Sequence, residues 1–278
     1  MRKKFLAMLG LSAALLFTGC GGDSGGGQPM DGDGMEKLNA NIKVGATPVP
    51  HAEILEQIKS DLQDKGVTLE IVEFNDYVQP NIALNDGELD ANFFQHEPYL
   101  TDFIKEHNEM KLKNAAGVHI EPMGIYSSKI KMLGEVPFGG TVSIPNDPTN
   151  GGRALLLLDK AELITLREGV GAEATVQDII SNPNDLTIQE IEAAQLPRTL
   201  DDVDIAVINT NFAMNAGLNP IQDALFMEDS TSPYVNIIAV RDGDENRPEI
   251  KALINSVKSD KIKNFINDTY KGAIVPAF

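Results

Sequence analysis

The chain has 278 residues and carries 23 Lys+Arg against 41 Asp+Glu, a formal net charge of −18. A balance this acidic excludes nucleic acid or anionic lipid headgroups as partners of a broad basic surface. The 42% hydrophobic and 23% charged residues describe a globular chain, and the single cysteine, Cys20, excludes an intrachain disulfide and a multi-thiolate metal site.

Arg2, Lys3 and Lys4 precede a mostly apolar run from Phe5 to Phe17, and Thr18-Gly19-Cys20 follows. This is the layout of a signal peptide over residues 1–19, too short for a membrane span of about 20 residues. A cysteine placed directly at the end of such a run points to lipidation at Cys20, where two acyl chains give stable attachment. The alternative is a secreted protein with a stray thiol. Removing the leader leaves −21 on the remaining 259 residues. Residues 21–39 are glycine-rich and without apolar periodicity, and residues 20–41 read as a lipidated cysteine with a flexible tether. Its root-mean-square reach is about 24 Å.

In the body, Asn41–Ala46 reads as a buried strand. Ala52, Ile54, Leu55, Ile58 and Leu62 recur at helical spacing up to a stop at Gly66. Val67–Phe74 reads as a strand, Tyr77–Leu84 as a short helix, and Leu89–Phe94 as a strand running into a helix from Glu97 to His107. The alternation predicts a parallel α/β sheet. The pattern restarts after residue 120. Strands are predicted at Met123–Tyr126, Thr141–Ile144, Leu186–Ile191, Asp204–Ile208 and Val235–Val240. Helices are predicted at Asn150–Leu163, Pro248–Val257 and Ile262–Tyr270. Two α/β units in one tethered chain suggest two lobes with a ligand cleft between them.

Three stretches carry chemistry. In Asn146–Leu155, Thr149 is a predicted N-cap, Gly151 and Gly152 would let an anion approach backbone N–H groups, and Arg153 can pair with a carboxylate. A capped helix with a surface arginine is the bland alternative. In Ala91–Leu100, Phe93, Phe94, His96 and Tyr99 concentrate aromatic groups suited to a thioether or apolar side chain, and Tyr77 lies in a neighbouring connection. Strand alternation puts either Phe93 or Phe94 in the core, and His96 could equally be structural. Asn209, Asn211 and Asn236 lie at strand ends and offer both donors and acceptors, as a zwitterion requires. Turn or cap chemistry is the alternative, strongest for Asn209. No G-x-S-x-G, H-E-x-x-H or dinucleotide motif occurs, so neither an enzyme nor a cofactor is expected. His51, His96, His107 and His119 are scattered, which leaves metal binding open but predicts no metal.

The stretches KVGATPVPHAEIL, FNDYVQPNIAL, LDANFFQHEPYL, HIEPMGIYSSKI, IPNDPTNGGRALLLL, VINTNFAMNAGL and SPYVNIIAVR resemble the NlpA lipoprotein family, the methionine-binding lipoproteins of bacterial ABC importers. The likeness runs over about residues 42–278. It implies a two-lobed, periplasmic-binding-protein-like (type II) α/β fold with two crossovers and an interlobe ligand cleft. Lobe 1 would be 42–122 plus 234–278, and lobe 2 would be 123–233. By the same resemblance, Arg153 pairs with the methionine carboxylate, supported by Asn150. Asn211 and Asn236 bind the polar head, while Tyr77, Phe94, His96 and Tyr99 surround the side chain. His119 is either ligand-facing or structural. The implied partners are methionine, the permease and ATPase subunits of the transporter, and a membrane reached through the anchor on its extracytoplasmic side. D-methionine, a methionine-containing dipeptide or another apolar amino acid are alternative ligands. A surface-exposed adhesive or immune-facing lipoprotein is an alternative role. The chain departs from the family pattern at Phe17 in the lipidation motif and at Phe278, where Trp is frequent.

Overall fold

The structure is a computed structural model and describes residues 37–229 and 231–278. The expected signal peptide, Cys20 and most of the tether lie outside the described residues. The first described stretch is already attached to the body: Leu38 N–H donates to the Lys65 carbonyl at 3.0 Å and Ala40 N–H to that of Gly66 at 2.9 Å.

The chain opens with β1 (Ala40–Ala46), α1 (Glu53–Asp64), β2 (Val67–Glu73), α2 (Gln79–Asn85), β3 (Ala91–His96), α3 (Glu97–Glu106) and β4 (Leu112–Ile120). It continues with β5 (Gly124–Tyr126), β6 (Thr141–Pro145), α4 (Pro148–Lys160), β7 (Thr165–Leu166), β8 (Ile179–Ser181), β9 (Thr187–Ile191), β10 (Ile205–Ile208), α5 (Thr210–Asn215), α6 (Pro220–Asp223) and β11 (Phe226–Met227). It closes with β12 (Val235–Arg241), α7 (Pro248–Val257), α8 (Asp260–Tyr270) and β13 (Val275–Pro276). The helical spacing in α1 puts Ile54, Leu55, Ile58 and Leu62 on one buried stripe. That stripe packs on Ile42 and Val44 of β1 and on Ile250, Leu253, Ile262 and Ile266 of α7 and α8. Each such side chain contributes about 1.5–3 kcal/mol of burial.

Two large sheets result, one ordered β13-β4-β12-β3-β1-β2 and the other β11-β5-β10-β6-β9, and β7 and β8 form a separate antiparallel pair. The second core places Leu155, Leu157 and Leu158 of α4 against Val142, Ile144, Ile205 and Val207. The fold is thus two-lobed α/β. The chain passes between the sheets through residues 121–123 and again through residues 228–234. The expected parallel sheet is found in part, and both large sheets are mixed. β1 pairs parallel with β2 and β3, but β12 runs antiparallel to β3 and β4, and β5 antiparallel to β10. The reason is topological: a strand that enters a sheet directly from the other lobe needs no crossover helix, and so is free to run either way. β4 was also absent from the sequence reading, because Leu112–Ile120 mixes polar and small residues without clean alternation.

Candidate functional site

The site lies where β3, α4, α5 and β12 meet between the two sheets. β3 is buried along its whole length. Phe93 joins the core of the first sheet, whereas Phe94 packs with Tyr99 and Phe103. The Tyr77 ring lies 5.8 Å from Phe94, 5.6 Å from Tyr99 and 4.7 Å from Phe212, centroid to centroid. The Tyr99 hydroxyl donates to the Tyr77 carbonyl at 3.1 Å, and the Tyr77 hydroxyl to Asn211 Oδ1 at 2.5 Å. The result is an aromatic wall with its polar ends tied down.

His96 caps α3: its Nδ1 accepts from the Tyr99 backbone N–H at 3.1 Å. The ring proton is therefore on Nε2, which donates to Asn150 Oδ1 at 2.9 Å. Burial, followed by the charge of Arg153, lowers the His96 pKa from 6.5 to about 3, so the ring is neutral. Asn150 Oδ1 also accepts from Asn209 Nδ2 at 2.9 Å, and its own amide donates to Asp147.

Arg153 is buried one turn into α4 and is already engaged. Its Nε donates to Glu228 Oε1 at 2.8 Å, and its Nη2 donates to Glu228 Oε2 at 2.5 Å and to the Glu121 carbonyl at 2.7 Å. The guanidinium carbon stands 4.3 Å above the Tyr234 ring. Among the described residues Nη1 has no hydrogen-bond partner, so a bidentate hold on an outside carboxylate would need rearrangement at Glu228. Behind the site, the Glu121 carboxylate receives His119 Nε2 at 2.7 Å and His51 Nε2 at 3.2 Å. His51 also meets Asn236 Oδ1 at 3.1 Å and Thr47 Oγ1 at 2.7 Å. Burial lowers the pKa of His51 to about 4 and of His119 to about 3, and raises that of Glu121.

Of the residues picked from sequence, Tyr77, Phe94, His96, Tyr99, Asn150, Asn209, Arg153, Asn211 and Asn236 line one cavity. Among the described residues, Asn209 Oδ1 and Asn211 Nδ2 are buried there without a partner, one an acceptor and one a donor. His119 does not line the cavity and stands behind Glu121. Gln95, Glu121 and Thr210 line it without having been foreseen. Glu121 and Glu228 are 2 of 41 acids, and nothing local in the sequence distinguishes them. His51, His119 and Glu121 place ligand-type atoms within 4.8 Å of one another, a grouping that their separation in sequence concealed.

Three local expectations change. The N-cap of α4 is Asp147, whose Oδ1 accepts from Asn150 N–H at 2.9 Å, and not Thr149, which donates its hydroxyl to that same carboxylate. Gly151 and Gly152 do not line the cavity. They admit close backbone: a Cβ on Gly152 would collide with the Ala172 carbonyl oxygen, and one on Gly151 would stand 2.9 Å from that of Pro145. Asn209 holds the N-cap position of α5 but makes no side-chain cap bond, because its amide turns to Asn150.

The NlpA lipoprotein family model matches residues 42–278. The chain belongs to the NlpA lipoprotein family. Among relatives of this lipoprotein, the D-methionine-binding lipoprotein MetQ of Escherichia coli is 42% identical over 276 residues, covering 98% of this chain and 97% of its own. A nutrient-binding protein from Burkholderia cenocepacia, solved bound to methionine, is 46% identical with a TM-score of 0.82, covering 85% of this chain and 100% of its own. A periplasmic substrate-binding protein of an ABC transporter from Coxiella burnetii is 42% identical with a TM-score of 0.81, at 85% and 100% coverage.

Proposed function

We propose that this lipoprotein binds methionine as a zwitterion in the interlobe cavity and delivers it to the permease and ATPase subunits of an ABC importer. The lobes are residues 42–122 with 234–278, and 123–233. Cys20 would hold the protein by its lipid on the extracytoplasmic face of a membrane. Among the described residues no helix is long and apolar enough to cross one. The observation that carries the reading is the composition of the cavity. An aromatic wall of Tyr77, Phe94 and Tyr99 suits a thioether, and it stands opposite a polar end containing Arg153 and two unpartnered amide atoms, on Asn209 and Asn211. The methionine-bound relative, which matches over most of the chain, supports the same ligand. The role is binding, with transport energy supplied by the ATPases.

Calorimetric titration of ligand-stripped protein with L-methionine tests this, and absence of heat at tens of micromolar would refute the L-methionine assignment. Arg153→Ala should weaken binding by about 2–5 kcal/mol, since it removes a buried cation and strands Glu228. Affinity close to wild type in that variant would remove Arg153 from the site. D-methionine is the second reading, favoured by the name of the E. coli relative. Mass and chiral analysis of ligand released from fresh protein separates the two.

A further inference from the structure

Beside the aromatic wall lies a closed ring of side-chain amides. Asn81 of α2 and Asn92 of β3 are fully buried, and Gln95 of β3 is nearly so. Asn81 Oδ1 accepts from Asn92 Nδ2 at 2.9 Å and from Gln95 Nε2 at 2.8 Å, and Asn81 Nδ2 donates to Gln95 Oε1 at 2.9 Å. Gln95 Nε2 also donates to Asn92 Oδ1 at 3.0 Å, and Asn92 Nδ2 to the Pro80 carbonyl at 3.1 Å. Every amide oxygen and nitrogen of the ring thus has a partner. Gln95 lines the cavity, but its amide is spent on Asn81 and Asn92, which do not.

The short helix α2 needs such a fastening. It has seven residues, and a helix below about 12 residues is marginal by itself, so its place is set by what it packs on. Ala83 and Leu84 join an apolar cluster with Leu89, Leu100 and Ile237, but hydrophobic contact has no direction. Amide bonds are directional, and a fully satisfied buried network specifies one arrangement. Part of the site rides on α2. Ile82 packs on the cluster of Phe94, Tyr99 and Phe103, and so does Tyr77, two residues ahead of the helix. Tyr77 also reaches Asn211 and Phe212 of α5. On the other side of the ring, β3 carries Phe94 and His96 to either side of Gln95. The amides therefore tie the two halves of the aromatic wall to each other.

We infer that Asn81 is a positioning residue for ligand specificity: through its amide ring with Asn92 and Gln95 it fixes Tyr77 and Ile82 against Phe94 and Tyr99, and so sets the length of ligand side chain that the cavity accepts. The inference rests on the methionine reading above and adds a buried contact outside the cavity that tunes the fit to the thioether.

The experiment is calorimetric titration of full-length, ligand-stripped protein with L-methionine and with L-ethionine, whose side chain is longer by one methylene, beside thermal melting of each variant. Wild type should prefer methionine by at least about tenfold, the discrimination that a fitted apolar pocket exerts against one methylene. Asn81→Ala leaves the Asn92 and Gln95 amides without their partner, so α2 shifts. That variant should weaken methionine by about tenfold and compress the preference over ethionine to less than about threefold. Asn92→Ser keeps the paired Asn81 and Gln95 amides and should fall between the two. A purely structural ring would lower Tm and leave the preference as in wild type. Folded Asn81→Ala with the wild-type preference overturns the inference. If Asn81→Ala does not fold, a preference in Asn92→Ser within about twofold of wild type overturns it instead. A wild type that binds ethionine as tightly as methionine also overturns it, since no length limit then exists for the ring to set. No heat from L-methionine on stripped wild type would overturn the methionine reading and the inference with it. Methionine binding with any of the three preceding results overturns the inference alone.

Discussion

His96 offers a direct measure of how strongly this site depends on neutral, buried imidazoles. Burial and the Arg153 charge lower its pKa from 6.5 to about 3, and among the described residues it has no carboxylate partner. The folded value lies below the unfolded one, so the unfolded chain takes up the proton first. The stability this ring permits is complete above pH 6.5 and is lost as pH falls from 6.5 toward 3. Between pH 7 and pH 5 the loss amounts to about 2 kcal/mol, from 1.36 kcal/mol per pKa unit over the part of the window crossed. His51 and His119 share the direction, but Glu121 pulls His51 back and itself gains stability on acidification, since burial raises its pKa. His96 is the clean case. His96→Asn removes the titrating ring and keeps a favourable cap acceptor for α3. Urea unfolding of ligand-free protein at both pH values should show the variant losing about 2 kcal/mol less than wild type on acidification. Equal losses in the two proteins would refute the assignment of His96 as a buried neutral ring.

Two further predictions concern α4. Gly152→Ala should cost about 1–3 kcal/mol and lower Tm, because the new methyl meets a backbone carbonyl and not a flexible side chain. A melting temperature within a degree or so of wild type would mean that the loop at Ala172 yields freely. Asp147→Ala should destabilise by about 1 kcal/mol through loss of the cap, while Thr149→Ala, which keeps Asp147, should cost less than half of that in chemical denaturation. The reverse order would restore Thr149 as the cap.

The helices were legible where apolar spacing and punctuation agreed. Pro248–Val257 was read at its observed bounds, because a proline opens it and buried residues recur along one face. The cap of α4 was misread because Asp147 and Thr149 both suit the position, and the choice depends on which backbone turns helical first. Nine of the twelve residues that line the cavity were found by type, position and family likeness, most of them aromatics and amides near strand-to-helix junctions.

Glu121 and Glu228 mark the limit of that approach. Sequence by itself determined the alternation of strands and helices and the concentration of aromatic and amide groups, because each is written in neighbouring residues and local periodicity, and it determined the family through likeness along residues 42–278. Only the tertiary structure decided that Arg153 enters the site already paired, and that His51 and His119 converge on one carboxylate. Those contacts join residues 75 and 68 positions apart in the chain, Arg153 to Glu228 and His51 to His119. Charge balance in a buried cavity depends on spatial proximity through a low-dielectric interior, and no local pattern records it.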